Sequence, residues 1–367
     1  MNRLVLITAL LWPLSDASPL PIIDGDSLYN AQNCGKDQVI VNMGTYIEPD
    51  FNMTNVDLDV YSDAVYDAEV SRRIIRSPDW EDEPYDDRYD DRIGSDAKDG
   101  EVPWAVAIEY QEEYRCTGTL ISKKHVLTAA HCFVEDSTKS VKENCDNHQF
   151  LNESDVIQHM VVKYGASCLE AGHKECEGSK AVMKTAKVVR AHFRDFYELN
   201  GCKGGRDFAL LELESEVEGV NHVCLPHLHN TTEVHSAKNF HSYGWESDPE
   251  LENITSPILQ NVGLGVPLHP ELCKTLWGDM SNDTICAIKW NTCESDSGGL
   301  MNRESGRSSQ RRWFLFGVVS YGSSCDKIGY ENRTTRSQVY TDITNYSDTI
   351  DRFVFGPSMN RPITYKL

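Results

Sequence analysis

The chain has 367 residues and carries 57 acidic against 35 basic side chains, for a net charge of −22. That length accommodates one large all-β unit with an extra segment, or two modest domains. The negative balance excludes nucleic acid as a partner, because phosphate binding needs a basic surface.

At the N-terminus, Arg3, an apolar stretch over residues 4–12 and the small residues Ser15 and Ala17 spell a secretory signal over residues 1–17. The apolar run is well short of the roughly 20 residues that span a bilayer, so a secreted, extracellular chain with no membrane partner is expected. Twelve cysteines suit an oxidising compartment and a set of disulfides. No paired C-x-x-C pattern occurs, so neither a metal nor a cofactor is expected. Asn52, Asn152, Asn230, Asn253, Asn282, Asn332 and Asn345 head N-x-S/T sequons, candidate glycosylation sites.

Residues 18–92 are read as an acidic pro-segment and linker. Residues 79–91 hold too much like charge to fold alone and form a solvated, protease-accessible connection. Beyond it, short β-rich runs recur at residues 104–108, 119–121, 126–128, 160–164, 208–211, 314–320 and 338–341. Turn residues separate them, which predicts an all-β antiparallel barrel or sandwich. Residues 342–353 differ: Ile343, Tyr346, Ile350 and Phe353 recur at helical spacing and predict a C-terminal amphipathic helix.

Three segments carry chemistry. In Leu127-Thr128-Ala129-Ala130-His131-Cys132, the histidine stands beside a cysteine. In Cys293-Glu294-Ser295-Asp296-Ser297-Gly298-Gly299, a hydroxyl sits on a glycine-flanked turn, where a backbone presents a nucleophile beside its own amide donors. Between them Asp207 directly precedes the apolar run 208–211. The order His, Asp, Ser is that of a chymotrypsin triad.

With these motifs, residues 93–355 resemble the trypsin/chymotrypsin family of secreted serine proteases, and the long acidic pro-segment and insertions resemble nematode members. Gly100-Glu101-Val102-Pro103-Trp104, Cys224-Leu225-Pro226, Gly244-Trp245, Ser320-Tyr321-Gly322 and Val339-Tyr340-Thr341 meet the same pattern. The resemblance implies a protease domain at 93–367 made of two packed six-stranded antiparallel β-barrels (chymotrypsin-like), with the triad His131, Asp207 and Ser297 between them. Ser295 and Ser297 would supply the oxyanion-hole amides, and Ser320, Tyr321 and Gly322 would pair with the substrate backbone as an added strand. Ser295, the rival nucleophile, lacks the following Gly-Gly. The resemblance also implies disulfides Cys34–Cys224, Cys116–Cys132, Cys273–Cys286 and Cys293–Cys325. Cys145, Cys168, Cys176 and Cys202 are left with three pairings open.

Protein or peptide substrates, an activating protease and protein inhibitors are the partners so implied. Activation would follow a cut after Arg92, freeing the Ile93 amine for Asp296. This terminus is about two residues shorter than the family's, so the amine is at risk of falling short. Ser295 replaces a family glycine, and a catalytically weak or silent homologue acting in binding or regulation is the rival reading. Asn291 at the pocket base, where trypsins have Asp, and Gln338 on its wall predict an uncharged, narrowed pocket that does not favour Arg or Lys.

Overall fold

The computed structural model describes residues 34–36, 95–176, 179–199, 201–202, 205–229, 240–245, 256–265, 267–278, 280–287, 299–303, 312–322 and 338–356. Strands β1 (Ser95–Asp96), β2 (Ala105–Tyr110), β3 (Glu113–Leu120) and β4 (His125–Thr128) come first. Helices α1 (Val141–Asp146) and α2 (Glu153–His159) then precede β5 (Met160–Tyr164) and β6 (Lys184–His192), and α3 (Arg194–Glu198) precedes β7 (Ala209–Leu213). The second half holds β8 (Phe240–Gly244), β9 (Gln260–Gly265), α4 (Pro270–Trp277), β10 (Thr284–Ala287), β11 (Gly299–Arg303), β12 (Trp313–Tyr321), β13 (Gln338–Asp342) and α5 (Ser347–Phe355).

Strands β2-β3-β4-β7-β6-β5 close into an antiparallel barrel. Its sequence explains the closure. Along β5, Met160, Val162 and Tyr164 are buried while Val161 and Lys163 are half-buried, the period of two that turns alternate side chains inward. Strand β4 is buried throughout, as befits a strand packed on both faces. The other strands form a seven-stranded antiparallel sheet in the order β1-β9-β8-β11-β12-β13-β10. Thus the second six-stranded unit has, among the described residues, a short seventh strand, because Ser95 and Asp96 pair with Asn261 and Gln260 at its edge. An isolated antiparallel bridge, Pro267 to Ala287, joins the chain just past β9 to the end of β10.

Barrel and sheet meet through buried aromatic and polar contacts. Trp104 lies with its ring centroid 6.4 Å from that of Trp313. The Tyr243 and Thr119 hydroxyls share a hydrogen bond of 2.5 Å, and the Trp245 indole N–H donates to the Ser167 carbonyl at 2.7 Å. Trp104, Tyr243 and Trp245 are completely buried, so the polar ends of Tyr243 and Trp245 need these partners.

The stretch between β4 and β7 is ordered by local signals. Ser140 and Glu143 form a capping box on α1, and the Asn152 side chain accepts from the Asp155 amide to cap α2. Disulfides Cys116–Cys132, Cys145–Cys202, Cys168–Cys176, Cys34–Cys224 and Cys273–Cys286 are present; Cys293 and Cys325 lie outside the described residues. The C-terminal helix begins later than its periodicity predicts. Asp342 ends β13, its carboxylate accepts from the Thr344 amide, and a 3-10 turn over Ile343–Tyr346 leads into α5. Ile343, Ile350 and Phe353 are nonetheless buried, as an apolar stripe requires.

Asp99 holds the loop after β5 against the start of the barrel. Its carboxylate accepts from the Ser167 amide and hydroxyl, the Ser179 hydroxyl and the amides of Lys180 and Ala181, at 2.8–3.1 Å. Burial by itself raises its pKa, but these donors outweigh that and draw it down to about 2. A depressed carboxylate pKa contributes stability above the unfolded value of 3.8, lost as pH falls toward 2. Asp99→Ala is therefore expected to lower stability by about 2 kcal/mol at pH 7. Thermal melts of the two proteins should converge between pH 4 and pH 2; a constant gap across that range would refute the anchor.

Candidate functional site

Strands β4 and β7 are paired, Thr128 opposite Ala209, so the residues just after one strand and just before the other emerge at the same barrel end. His131 lies three residues past β4 in the 3-10 turn Ala130–Phe133, and Asp207 lies two residues before β7. Register alone thus brings them together. The His131 Nδ1 is 2.9 Å from Asp207 Oδ2, and the His131 backbone N–H donates to Asp207 Oδ1 at 2.8 Å. Asp207 is 3% exposed, so a charge there needs every donor within reach.

A third donor comes from the other half of the molecule. The Ser320 hydroxyl donates to Asp207 Oδ2 at 2.6 Å. The pairing of β12 with β13 shifts register between Val319 and Tyr321, leaving Ser320 as the extra residue of a bulge at the barrel boundary. Thr341 on β13 donates from its hydroxyl to the Asp207 backbone carbonyl at 2.9 Å. Sequence reasoning gave Ser320 a role toward substrate backbone and missed its bond to the carboxylate, and it missed Thr341. Only the bulge and the sheet register bring these hydroxyls to Asp207, and neither has a signature in spacing.

His131 is held from behind as well. The Tyr197 hydroxyl donates to the Ala130 carbonyl at 2.6 Å, and burial pushes the phenol pKa well up, keeping it a neutral donor. Phe133 stacks on Phe193 and Phe150 on Tyr197, with centroids 4.4 and 4.6 Å apart. Disulfide Cys116–Cys132 ties the residue after His131 to β3, and Cys145–Cys202 joins α1 to the approach to Asp207. Nδ1 therefore faces Asp207 in a fixed orientation, and as the donor to that carboxylate it leaves Nε2 as the unprotonated nitrogen, a proton acceptor.

Of the remaining predicted site residues, Arg92, Ile93, Asn291, Ser295, Asp296 and Ser297 lie outside the described residues, as do Asn52, Asn230, Asn253 and Asn332. Gly299, two residues after Ser297, begins β11 opposite Val318. A side chain there would meet Leu315, the Tyr243 hydroxyl and Thr119, so glycine is required by close packing. Tyr321 packs edge-on against Trp277 at 5.1 Å. Asn282 and Asn345 are exposed, and exposed Asn152 spends its side chain on capping α2.

Gln338, the first residue of β13, is 3% exposed, and its amide lies over the open Cα face of Gly322, where a Cβ would overlap it. Among the described residues neither amide atom of Gln338 has a hydrogen-bond partner. Two groups of metal-type ligand atoms occur among the described residues, Cys34/Cys224/His229 and Cys116/His131/Cys132. In each the two sulfurs form a disulfide, so no thiolate is available to a metal.

Residues 92–350 match the family model described as Trypsin. The chain is 35% identical over 277 residues to trypsin-like protease try-5 of Caenorhabditis elegans, covering 69% of this chain and 83% of that protein. It is 27% identical over 298 residues to CLIP domain-containing serine protease B14 of Anopheles gambiae, 71% of each chain. It is also 24% identical over 270 residues to transmembrane protease serine 7 of Rattus norvegicus, of which only 28% is covered.

An unbonded buried amide costs about 1–3 kcal/mol. Replacing it by a thioether of similar volume, Gln338→Met, is expected to raise the unfolding free energy by roughly 1 kcal/mol in urea titration. A loss of stability instead would mean that the Gln338 amide is satisfied.

Proposed function

Because the chain belongs to the trypsin family of serine proteases, we propose that it is a secreted serine endopeptidase, made as a zymogen, that cleaves peptide bonds with His131, Asp207 and Ser297. The observation that carries this reading is the buried Asp207 carboxylate, bonded by two His131 nitrogens and by Ser320. That arrangement leaves His131 Nε2 as the base. A serine hydroxyl is a poor nucleophile until a neutral imidazole accepts its proton.

In this mechanism Ser297 Oγ attacks the scissile carbonyl as its proton passes to His131 Nε2. The carbonyl oxygen becomes an oxyanion held by the backbone N–H groups of Ser295 and Ser297. His131, now a cation stabilised by Asp207, donates that proton to the leaving amine. Water then enters by the same route and releases the acyl group. The tight packing around Gly299 supports an anchored start of β11, two residues after Ser297 in sequence.

The Pro267–Ala287 bridge supports a second barrel closed across β9 and β10. In the zymogen reading, residues 1–17 are a signal and 18–92 a pro-segment whose cut after Arg92 precedes β1. Paired Cys34 and Cys224 support a pro-segment that stays attached after that cut. No helix among the described residues is long and apolar enough to cross a membrane.

Gln338 sets the specificity in this reading. Its uncharged amide takes up the space beside Gly322, and Asn291 offers no carboxylate, so an Arg or Lys side chain would lose water and gain no counter-charge. Uncharged side chains of modest size are favoured.

Ser297→Ala is expected to lower hydrolysis by roughly 10⁵- to 10⁶-fold and abolish fluorophosphonate labelling, with melting unchanged. Retained turnover in that variant, with loss in Ser295→Ala, would move the nucleophile to Ser295. A peptide library should show poor cleavage after Arg and Lys in the wild type, and the double change Asn291→Asp with Gln338→Gly should create that preference. Activated protein should run as one species on non-reducing gels and release a fragment of residues 18–92 on reduction.

A further inference from the structure

Asp207 is reached through a backbone that needs help to hold its shape. Gly205 has φ +99° and Arg206 has φ +63°, two consecutive left-handed residues of which the second carries a side chain. The Phe208 N–H donates to the Arg206 carbonyl at 2.8 Å, so Asp207 itself is the centre of a three-residue turn. A bulky residue in the left-handed region costs free energy, and it persists only where surrounding structure enforces it.

The enforcing group is the Asp283 side chain, one residue before β10 and 8% exposed. Its Oδ2 accepts from the Arg206 backbone N–H at 2.8 Å and from the Tyr346 hydroxyl, and its Oδ1 accepts from the Ser281 hydroxyl. Its own carbonyl accepts from the Asp342 N–H at 2.7 Å. The carboxylate also lies against Gly205, where any Cβ would overlap it. Tyr346 completes the arrangement. Its ring lies 4.5 Å from that of Phe208, and the Arg206 guanidinium sits 5.8 Å from its centroid. Burial and the Asp283 carboxylate together raise the Tyr346 pKa, so the phenol stays a donor. Of the two chain neighbours of Asp207, Arg206 is thus held by Asp283 and Tyr346, and Phe208 by Tyr346.

We propose that Asp283 and Tyr346 form a clamp that positions Asp207 for His131, Asp283 by holding the Arg206 amide and Tyr346 by holding Asp283 and Phe208. The clamp makes the His131–Asp207 geometry depend on β10 and on the 3-10 turn before α5. Its catalytic consequence rests on the proposed proteolytic function, but its geometric consequence does not.

The test uses the full chain, processed, and reads the proton between His131 Nδ1 and Asp207 as a downfield resonance in proton NMR, together with the His131 imidazole titration. Asp283→Ala is expected to weaken or abolish that resonance and lower the imidazole pKa by about one unit, because a displaced carboxylate stabilises the cation less. Ester hydrolysis should fall by roughly 10- to 100-fold in kcat with KM little changed. Asp283→Asn keeps one acceptor oxygen for the Arg206 amide and should recover part of each effect. A role confined to stability would lower melting temperature while leaving resonance and titration intact at temperatures where the variant is folded. That result would overturn the clamp. Should Asp283→Ala fail to fold, Tyr346→Phe decides: it keeps the ring contacts, and an unchanged resonance and titration would overturn the proposal. Loss of the resonance in a protein whose wild type does not hydrolyse esters would sink the catalytic reading while supporting the clamp.

Discussion

A buried carboxylate cannot be left to a single donor. Asp207 is nearly inaccessible to water, and its charge is compensated by His131 from the barrel and Ser320 from the sheet, with Thr341 on its backbone carbonyl. Removing water from a carboxylate is costly unless several hydrogen bonds replace it. This constraint makes the two halves of the molecule interdependent. The barrel supplies Asp207 through β4–β7 register, and the sheet supplies hydroxyl donors to its carboxylate and its backbone carbonyl.

The surrounding packing serves the same end. Around His131, stacked aromatic pairs, the Tyr197 hydroxyl and two disulfides restrict the turn to one orientation. Across the interface, the Thr119–Tyr243 hydrogen bond and the glycine at 299 allow barrel and sheet to approach closely. A hydrogen-bonded site loses geometry steeply with small displacements, so rigid support matters as much as the reacting groups.

Where the chain adds to the barrel and the sheet, the additions have structural anchors. The stretch between β4 and β7 gains capped helices and two disulfides, Cys145–Cys202 and Cys168–Cys176, and Asp99 gathers donors from Ser167 through Ala181. Gln338 is different: it buries an amide without a partner among the described residues. Buried atoms of Arg115, His125, His192 and Ser242 share that condition among the described residues, but Gln338 lies beside Gly322.

Much was legible in the residues themselves. Alternating apolar runs located β5, β7, β12 and β13 to within two residues, and the motifs around His131, Asp207 and Ser297 pointed to one chemistry, because a nucleophile, a base and its orienting acid are scarce residue types in demanding local contexts. Strands β6, β8, β9 and β10 escaped notice, since half-exposed or short strands such as the Lys-rich 184–192 lack a clear period. Pairing among Cys145, Cys168, Cys176 and Cys202 was equally open, because connectivity depends on which loops meet in space. Local pattern named the side chains expected to carry the chemistry. Only tertiary structure decided what holds them: that Ser320 turns onto Asp207 through a bulge, and that Asp283, 77 residues from Arg206, holds its amide. Such partners are far apart in sequence and meet through strand register, which no local spacing encodes.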